Sequence, residues 1–284
     1  MSAVPRIPFT LLGGYLGAGK TTLLNRLLTT AEGRRIVALV NDVGAVNVDA
    51  ALVAEHDGAT LTLTNGCVCC ALGDDLVTAL EQVRAMTPPP DQVVMELSGV
   101  GEPARLAPWA DTTGFRLDGI VVLADADQIV ELAERRYVGD TISAQLAAAD
   151  LVLLTKTDLV DDPEPAIRFV AALTESPIHD AAGVDPQIVF GVGGGHLPEP
   201  TDGHVHHDVS TVPALGLTRA ELDAFVAGLG CEVVRAKGLI RCIDVDHPVE
   251  VHVVGRRRSV RVRADLPPSA ATDVLVVISV PLTD

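Results

Sequence analysis

The sequence predicts an α/β fold: a doubly wound, mainly parallel sheet followed by a second, smaller α+β C-terminal domain. Three observations carry this reading. Short apolar runs alternate with helix-like segments across the first two-thirds of the 284 residues. Those runs are rich in Val, Ile and Leu with little polar alternation, as expected of strands covered on both faces. Aromatic residues make up only 3% of the chain, so aliphatic side chains must fill the core, which suits helices packed on parallel strands.

Taken in order, residues 9–14 (FTLLGG) read as a strand and 20–31 as the helix after it. Residues 35–41 read as strand, 61–66 as a short strand, 74–86 as helix and 92–99 as strand. Residues 117–126 are expected as strand, 128–136 as helix, 150–158 as strand, 165–175 as helix and 186–192 as a last strand. The composition then shifts. GVGGGHLPEPTDGHVHHDVSTVP is dominated by Gly, Pro and His and keeps no period, so residues 193–217 are expected to be a linker or mobile loop between 1–192 and 218–284. Beyond it stand one helix, 218–229, and strand candidates at 231–238, 240–245, 249–255, 258–264 and 273–280.

Composition bounds the function. A formal charge of −17 argues against a general nucleic-acid binder, which would show a basic surface. No stretch reaches the roughly 18 apolar residues of a membrane helix. The N-terminal apolar run is short and breaks into glycines rather than a cleavage site, so a cytoplasmic protein is expected. Of five cysteines, three fall within four residues, which in a reducing compartment reads as metal-binding or redox-active rather than a disulfide framework.

Gly14-Tyr-Leu-Gly17-Ala18-Gly19-Lys20-Thr21-Thr22 fits G-x-x-x-x-G-K-[ST], between a predicted strand and a predicted helix. This is the phosphate-binding P-loop. The glycines let backbone N–H groups turn around phosphate oxygens, and the helix N-terminus adds a favourable dipole. Lys20 can reach the β/γ-phosphates and the Thr21 hydroxyl can bind Mg²⁺. A second stretch, Thr155-Lys156-Thr157-Asp158, ends a buried strand and resembles the N-K-x-D guanine motif of GTPases, with Thr155 replacing Asn. A carboxylate there can accept from guanine N1–H and N2–H₂, which adenine lacks. Glu96 follows another strand where a carboxylate would approach Mg²⁺, and the Gly99 N–H stands where it could sense a γ-phosphate. Asp42 and Asp49 follow a further strand, and either could orient Mg²⁺ or the attacking water. A solvated loop acid is the plainer reading of each, and no arginine finger is identifiable.

Cys67, Cys69 and Cys70 lie between a short strand and a helix. Thiolates prefer Zn²⁺, Cu(I) and other thiophilic ions. Three ligands leave an open position, which suits transfer better than structure. Reactive thiols and small buried residues remain alternatives. His196, His204, His206 and His207 sit in the linker, where a polar loop needs no function and loose metal capture is the alternative. His247 and His252 read as ordinary strand residues, and Cys231 and Cys242 as core.

The ordered set G-x-L-G-A-G-K-T-T, N-[DE]-x-G, G-C-x-C-C, E-x-S-G-x-x-x-P and [NT]-K-x-D, at residues 13–22, 41–44, 66–70, 96–103 and 155–158, resembles the CobW-like metallochaperone GTPases. These are relatives of the nickel-insertion GTPases of urease and hydrogenase maturation. The resemblance implies Mg²⁺-dependent GTP hydrolysis coupled to delivery of a transition metal, zinc first and cobalt second, to a client metalloprotein. It implies that Lys20 and Thr21 bind phosphates and Mg²⁺, that Asp158 reads guanine, and that Cys67, Cys69 and Cys70 ligate the metal; Gly14, Gly17, Ala18, Gly19, Thr22, Gly99, Thr155 and Lys156 are the further nucleotide-binding candidates from the motifs. Lys20, Asp42 and Glu96 are the catalytic candidates, and Thr21 with Glu96 the Mg²⁺ ligands. Asp42 stands where the family usually has Glu, and Ala45 where an acidic residue is common, so the switch geometry departs from the pattern. The competing reading is a regulatory or scaffolding GTPase whose thiols sense redox state. The client is not named by the sequence, and a homodimer is left open.

Overall fold

The computed structural model describes residues 6–31, 33–41, 60–63, 72–112, 114–193, 208–230, 232–254, 257–271 and 273–280. The first sheet holds seven strands: β1 (Ile7–Gly14), β2 (Ile36–Asn41), β3 (Thr60–Leu63), β4 (Gln92–Glu96), β5 (Phe115–Asp125), β6 (Leu151–Thr155) and β7 (Ile178–Asp180). Their spatial order is β3-β2-β4-β1-β5-β6-β7, and every pairing is parallel. Helices α1 (Lys20–Thr29), α2 (Leu72–Ala85), α3 (Pro103–Ala110), α4 (Ile129–Ala133), α5 (Arg136–Ala147) and α6 (Glu164–Ala171) connect the strands. Alternate strand residues feed two cores. Leu11, Val93, Met95 and Val122 join one, while Leu12, Val94, Val121 and Leu123 join the other. Both faces of the sheet are therefore apolar, which is why the strands lack polar alternation.

The second sheet is antiparallel and five-stranded, built from β8 (Asp208–Pro213), β9 (Val233–Ile240), β10 (Val249–Val254), β11 (Arg257–Val262) and β12 (Val274–Ser279) in the order β11-β10-β9-β12-β8. Helix α7 (Arg219–Ala227) opens with a capping box in which Thr218 and Glu221 satisfy each other's backbone N–H. Its Leu222 and Val226 share a core with Ala236, Val251, Val253 and Leu275. Cys242 is buried in that core, where burial pushes its thiol pKa up.

Several expectations need correction. Residues 186–192 are not a strand: Pro186–Val189 is a 3₁₀ turn, started by Pro186 and by the Asp185 carboxylate accepting from the Gln187 N–H. The last strand of the sheet is the short Ile178–Asp180 instead. Residues 240–245 are not a separate strand, because β9 runs on to Ile240 and the chain then turns, with Val245 N–H donating to the Cys242 carbonyl. Within the expected linker, residues 208–213 form β8 and pair antiparallel with β12. The helix expected at 128–136 ends at Ala133, and α5 follows as a second one. Gly139 and β-branched residues weaken α5's local propensity. Packing decides it: Val138, Ile142 and Leu146, four residues apart, are at most 2% exposed. Helix α3 was hidden among Gly and Pro, yet Pro103 sits in its first turn, where a missing N–H costs nothing. No helix among the described residues is long and apolar enough to cross a membrane.

Candidate functional site

Four parallel strands end on one edge of the first sheet. Register sets Glu96 beside Leu12, Gly14 beside Leu123 and Asp125 beside Thr155. The loops after β1, β4, β5 and β6 therefore converge at the carboxyl ends of the strands, on both sides of the central strand, where ligands bind in open α/β sheets.

The loop after β1 turns on Gly14, Gly17 and Gly19, whose φ angles of 130°, 74° and 97° suit glycine. Two of them also lack room. A Cβ on Gly14 would lie 2.5 Å from the Leu123 carbonyl oxygen, and one on Gly17 2.4 Å from Val254 Cγ1. Ala18 N–H donates to the Tyr15 carbonyl at 3.1 Å, closing the turn. Gly19 caps α1 without a side chain, so the first-turn N–H groups point into the loop. Lys20 is buried at 5% exposure and folds back, its Nζ donating to the carbonyls of Gly14 at 2.8 Å and Tyr15 at 3.2 Å. An ammonium held on two carbonyls at the mouth of such a loop is placed to exchange them for phosphate oxygens.

Thr21 Oγ1, in the first turn of α1, donates to Glu96 Oε1 at the end of β4 at 2.8 Å. A hydroxyl beside a buried carboxylate is a hard-oxygen pair, and it fits Mg²⁺, which takes one or two protein oxygens with phosphates and waters. Thr22 is exposed and lines the adjoining cavity. Gly99 is buried against the phosphate loop, where a Cβ would meet Leu16 at 2.4 Å. The Gln145 amide of α5 holds this segment by donating to the Gly99 and Gly101 carbonyls at 3.2 and 2.8 Å.

The loop after β6 meets the phosphate loop directly. Thr155 Oγ1 donates to the Ala18 carbonyl at 2.9 Å, and Lys156 Nζ to the Gly17 carbonyl at 2.6 Å. Lys156 has φ 58°, which turns the chain into the short 3₁₀ element holding Asp158, whose side chain is exposed. Thr157 Oγ1 ties that turn to Asp180 at 2.9 Å. The structure thus brings together Gly14, Gly17, Ala18, Gly19, Lys20, Thr21, Thr22, Glu96, Gly99, Thr155 and Lys156, with Asp158 on the next turn. Asp42, Asp49, Cys67, Cys69 and Cys70 lie outside the described residues, as do the four linker histidines.

Sequence reasoning missed Asp125, Asp127 and Arg257. Asp125 ends β5, and Lys156 Nζ donates to it at 2.7 Å. Arg257, from β11 of the second sheet, bonds the same carboxylate through both of its terminal nitrogens, and Asp127 at 2.5 Å. Burial alone would raise the Asp125 pKa, but the Arg257 hydrogen bond and the Lys156 and Arg257 charges hold it below the usual carboxylate value. The signal was the same as for Glu96, a carboxylate at the carboxyl end of a parallel strand. Its partner lies over 130 residues away and left none.

The second sheet also walls the site. A cavity of about 630 Å³ is bounded by Gly17, Lys20 and Thr21 on one side and by Arg235, Lys237 and His252 on the other. His252 is exposed on its strand but faces into this cavity, where surrounding protein and then Arg235, Lys237, Lys156 and Arg261 press its pKa down to about 3. Its imidazole is therefore neutral at physiological pH.

Comparison with known proteins agrees with this arrangement. Residues 8–176 match the family described as CobW/HypB/UreG, nucleotide-binding domain, and residues 212–283 match the cobalamin synthesis protein cobW C-terminal domain. A zinc chaperone CobW of a Sinorhizobium species is 29% identical over 281 residues, covering 84% of this chain and 79% of the relative. The zinc chaperone YjiA of Escherichia coli is 29% identical over 262 residues, covering 88% and 75%. The zinc-regulated GTPase metalloprotein activator 1 of Schizosaccharomyces pombe is 34% identical over 170 residues, covering 56% and 41%. Among solved structures, a Zn(II)-bound triple mutant of the YjiA GTPase shares the fold, with a TM-score of 0.51 and 20% identity over 98% of this chain and 96% of that one.

Proposed function

The chain belongs to the CobW/HypB/UreG family, and from that premise we propose that it is a GTP-hydrolysing metallochaperone that delivers zinc, or a similar thiophilic ion, to a client metalloprotein. The observation that carries the reading is the meeting of three loops. The phosphate loop after β1, the Thr21–Glu96 pair and the Thr155-Lys156 end of β6 share one edge of the parallel sheet.

In this reading the backbone of Gly14 to Gly19 and the hydroxyl of Thr22 hold the phosphates. Lys20 leaves the Gly14 and Tyr15 carbonyls for the β/γ oxygens, where its charge counters that of the transferring group. Thr21 and Glu96 hold Mg²⁺, which would supply further positive charge to the phosphates. The Gly99 N–H reads the γ-phosphate, and Asp42 orients water. Lys156 lies along the base and Asp158 accepts from guanine, so adenine leaves a carboxylate unmatched. Cys67, Cys69 and Cys70, between these loops in sequence, hold the zinc cargo. Residues 1–192 act as the switch domain and 218–284, with β8, as the partner domain in a cytoplasmic protein. Metal is then bound with one affinity in the GTP state and another in the GDP state.

The test is competitive zinc titration against a calibrated chelator, with and without a non-hydrolysable GTP analogue. The reading expects one tight site whose affinity changes about 5–150-fold with nucleotide. Zinc affinity that ignores nucleotide, or a protein that binds ATP as well as GTP, would overturn it.

A further inference from the structure

The wall opposite the phosphate loop is built by strand pairing. Arg235 and Lys237 are two apart on β9 and so share one face. Register places Val254 beside Arg235 and His252 beside Lys237 on β10, then Arg257 and Ser259 beside those on β11. The intervening residues, Ala236, Val251 and Val253, point the other way into the core under α7. A one-residue slip would bury the cations in that core, so the basic face is fixed by the hydrophobic one. Val254 presses against Gly17, which seats this face on the phosphate loop itself.

The charge runs against the rest of the molecule. The chain carries −17, yet Arg235, Lys237, Arg257 and Arg261 border one cavity together with Lys20. Arg235 and Lys237 are only 9% and 6% exposed, whereas most lysines and arginines keep their heads in water. Like charges converging on one space are stabilised by a polyanion lying between them.

We infer that the C-terminal sheet completes the nucleotide site within the same chain: Arg235 and Lys237 contact the phosphate oxygens of bound GTP from the side opposite the phosphate loop. The inference rests on the GTPase reading above and deepens it. It adds, from the second sheet, cationic contacts on the side opposite Lys20, at the place where charge on the transferring phosphoryl group needs positioned donors. It also gives the triphosphate a means of holding the two sheets together that a nucleoside monophosphate does not have.

The experiment measures affinity for GMP, for GDP and for a non-hydrolysable GTP analogue with Mg²⁺, together with GTP turnover. The proteins are the full chain and its Arg235→Ala, Lys237→Ala and double variants, with Arg168→Ala, on the exposed face of α6, as control. Circular dichroism confirms folding, and Arg235→Gln with Lys237→Gln replaces the alanine pair if that pair is unfolded. The double variant should lose about tenfold to a hundredfold in affinity for the triphosphate analogue. GMP affinity and guanine-over-adenine preference should not change, and the control should match the parent. A folded double variant that binds the analogue and turns over GTP like the parent overturns the inference while leaving the GTPase reading standing. A parent chain that shows no preference for GTP overturns both.

Discussion

Arg257→Ala isolates the contact that joins the second sheet to the base end of the site. Arg257 is 27% exposed, and the Asp125 side chain only 6%. Removing one partner of a fully buried pair costs about 3–5 kcal/mol, because the other charge is left behind. Here Lys156 remains on Asp125 at 2.7 Å, and solvent reaches the arginine, so the loss should be nearer ~2 kcal/mol. For a unit of this size that lowers the melting temperature by about 4–8 °C. The folded Asp125 carboxyl titrates below its unfolded value, so its stabilisation is fully present above the unfolded pKa. It is lost as pH falls through the depressed folded pKa. The deficit of the variant should therefore be complete at neutral pH and shrink in the acid range below about pH 4. Thermal denaturation of parent, Arg257→Ala, Asp125→Asn and the double variant across pH measures this. A double-mutant cycle with no coupling at neutral pH, or a deficit undiminished in acid, would refute the reasoning.

Other outcomes can be checked alongside it. Gly17→Ala should lower both stability and nucleotide affinity, since its φ of 74° and the 2.4 Å approach to Val254 leave no room for a methyl; a parent-like melting curve and GTP affinity would contradict the docking of the second sheet. Lys20→Ala should abolish hydrolysis and weaken GTP binding, as measured by phosphate release and nucleotide titration, and normal turnover would assign the activity elsewhere. Asp158→Asn should move base preference from guanine toward xanthine nucleotides, read by competition binding. Triple Cys→Ser substitution at Cys67, Cys69 and Cys70 should remove the tight zinc site in the chelator competition, and the parent's zinc affinity should weaken steeply below neutral pH, because free thiols titrate near ~8.5.

The sequence by itself determined the alternating first domain. Leu11 and Leu12, Val93 and Val94 face opposite cores, and a strand apolar on both faces announces itself without any partner. It also determined the phosphate loop and the Thr155-to-Asp158 stretch, because glycine spacing and a lysine after a strand are local patterns set by local backbone needs. Tertiary structure decided the rest. Helix α5 forms because Val138, Ile142 and Leu146 find a core, against weak propensity. Strand β8 forms because β12 offers it a free edge, though its own residues looked like linker. The basic wall over the phosphate loop could not be read along the chain. Arg235 and Arg257 lie on β9 and β11, the outer strands of a β9-β10-β11 meander, and their meeting with the phosphate loop and Asp125, over 130 residues away, depends on how the two sheets pack, which no local periodicity encodes.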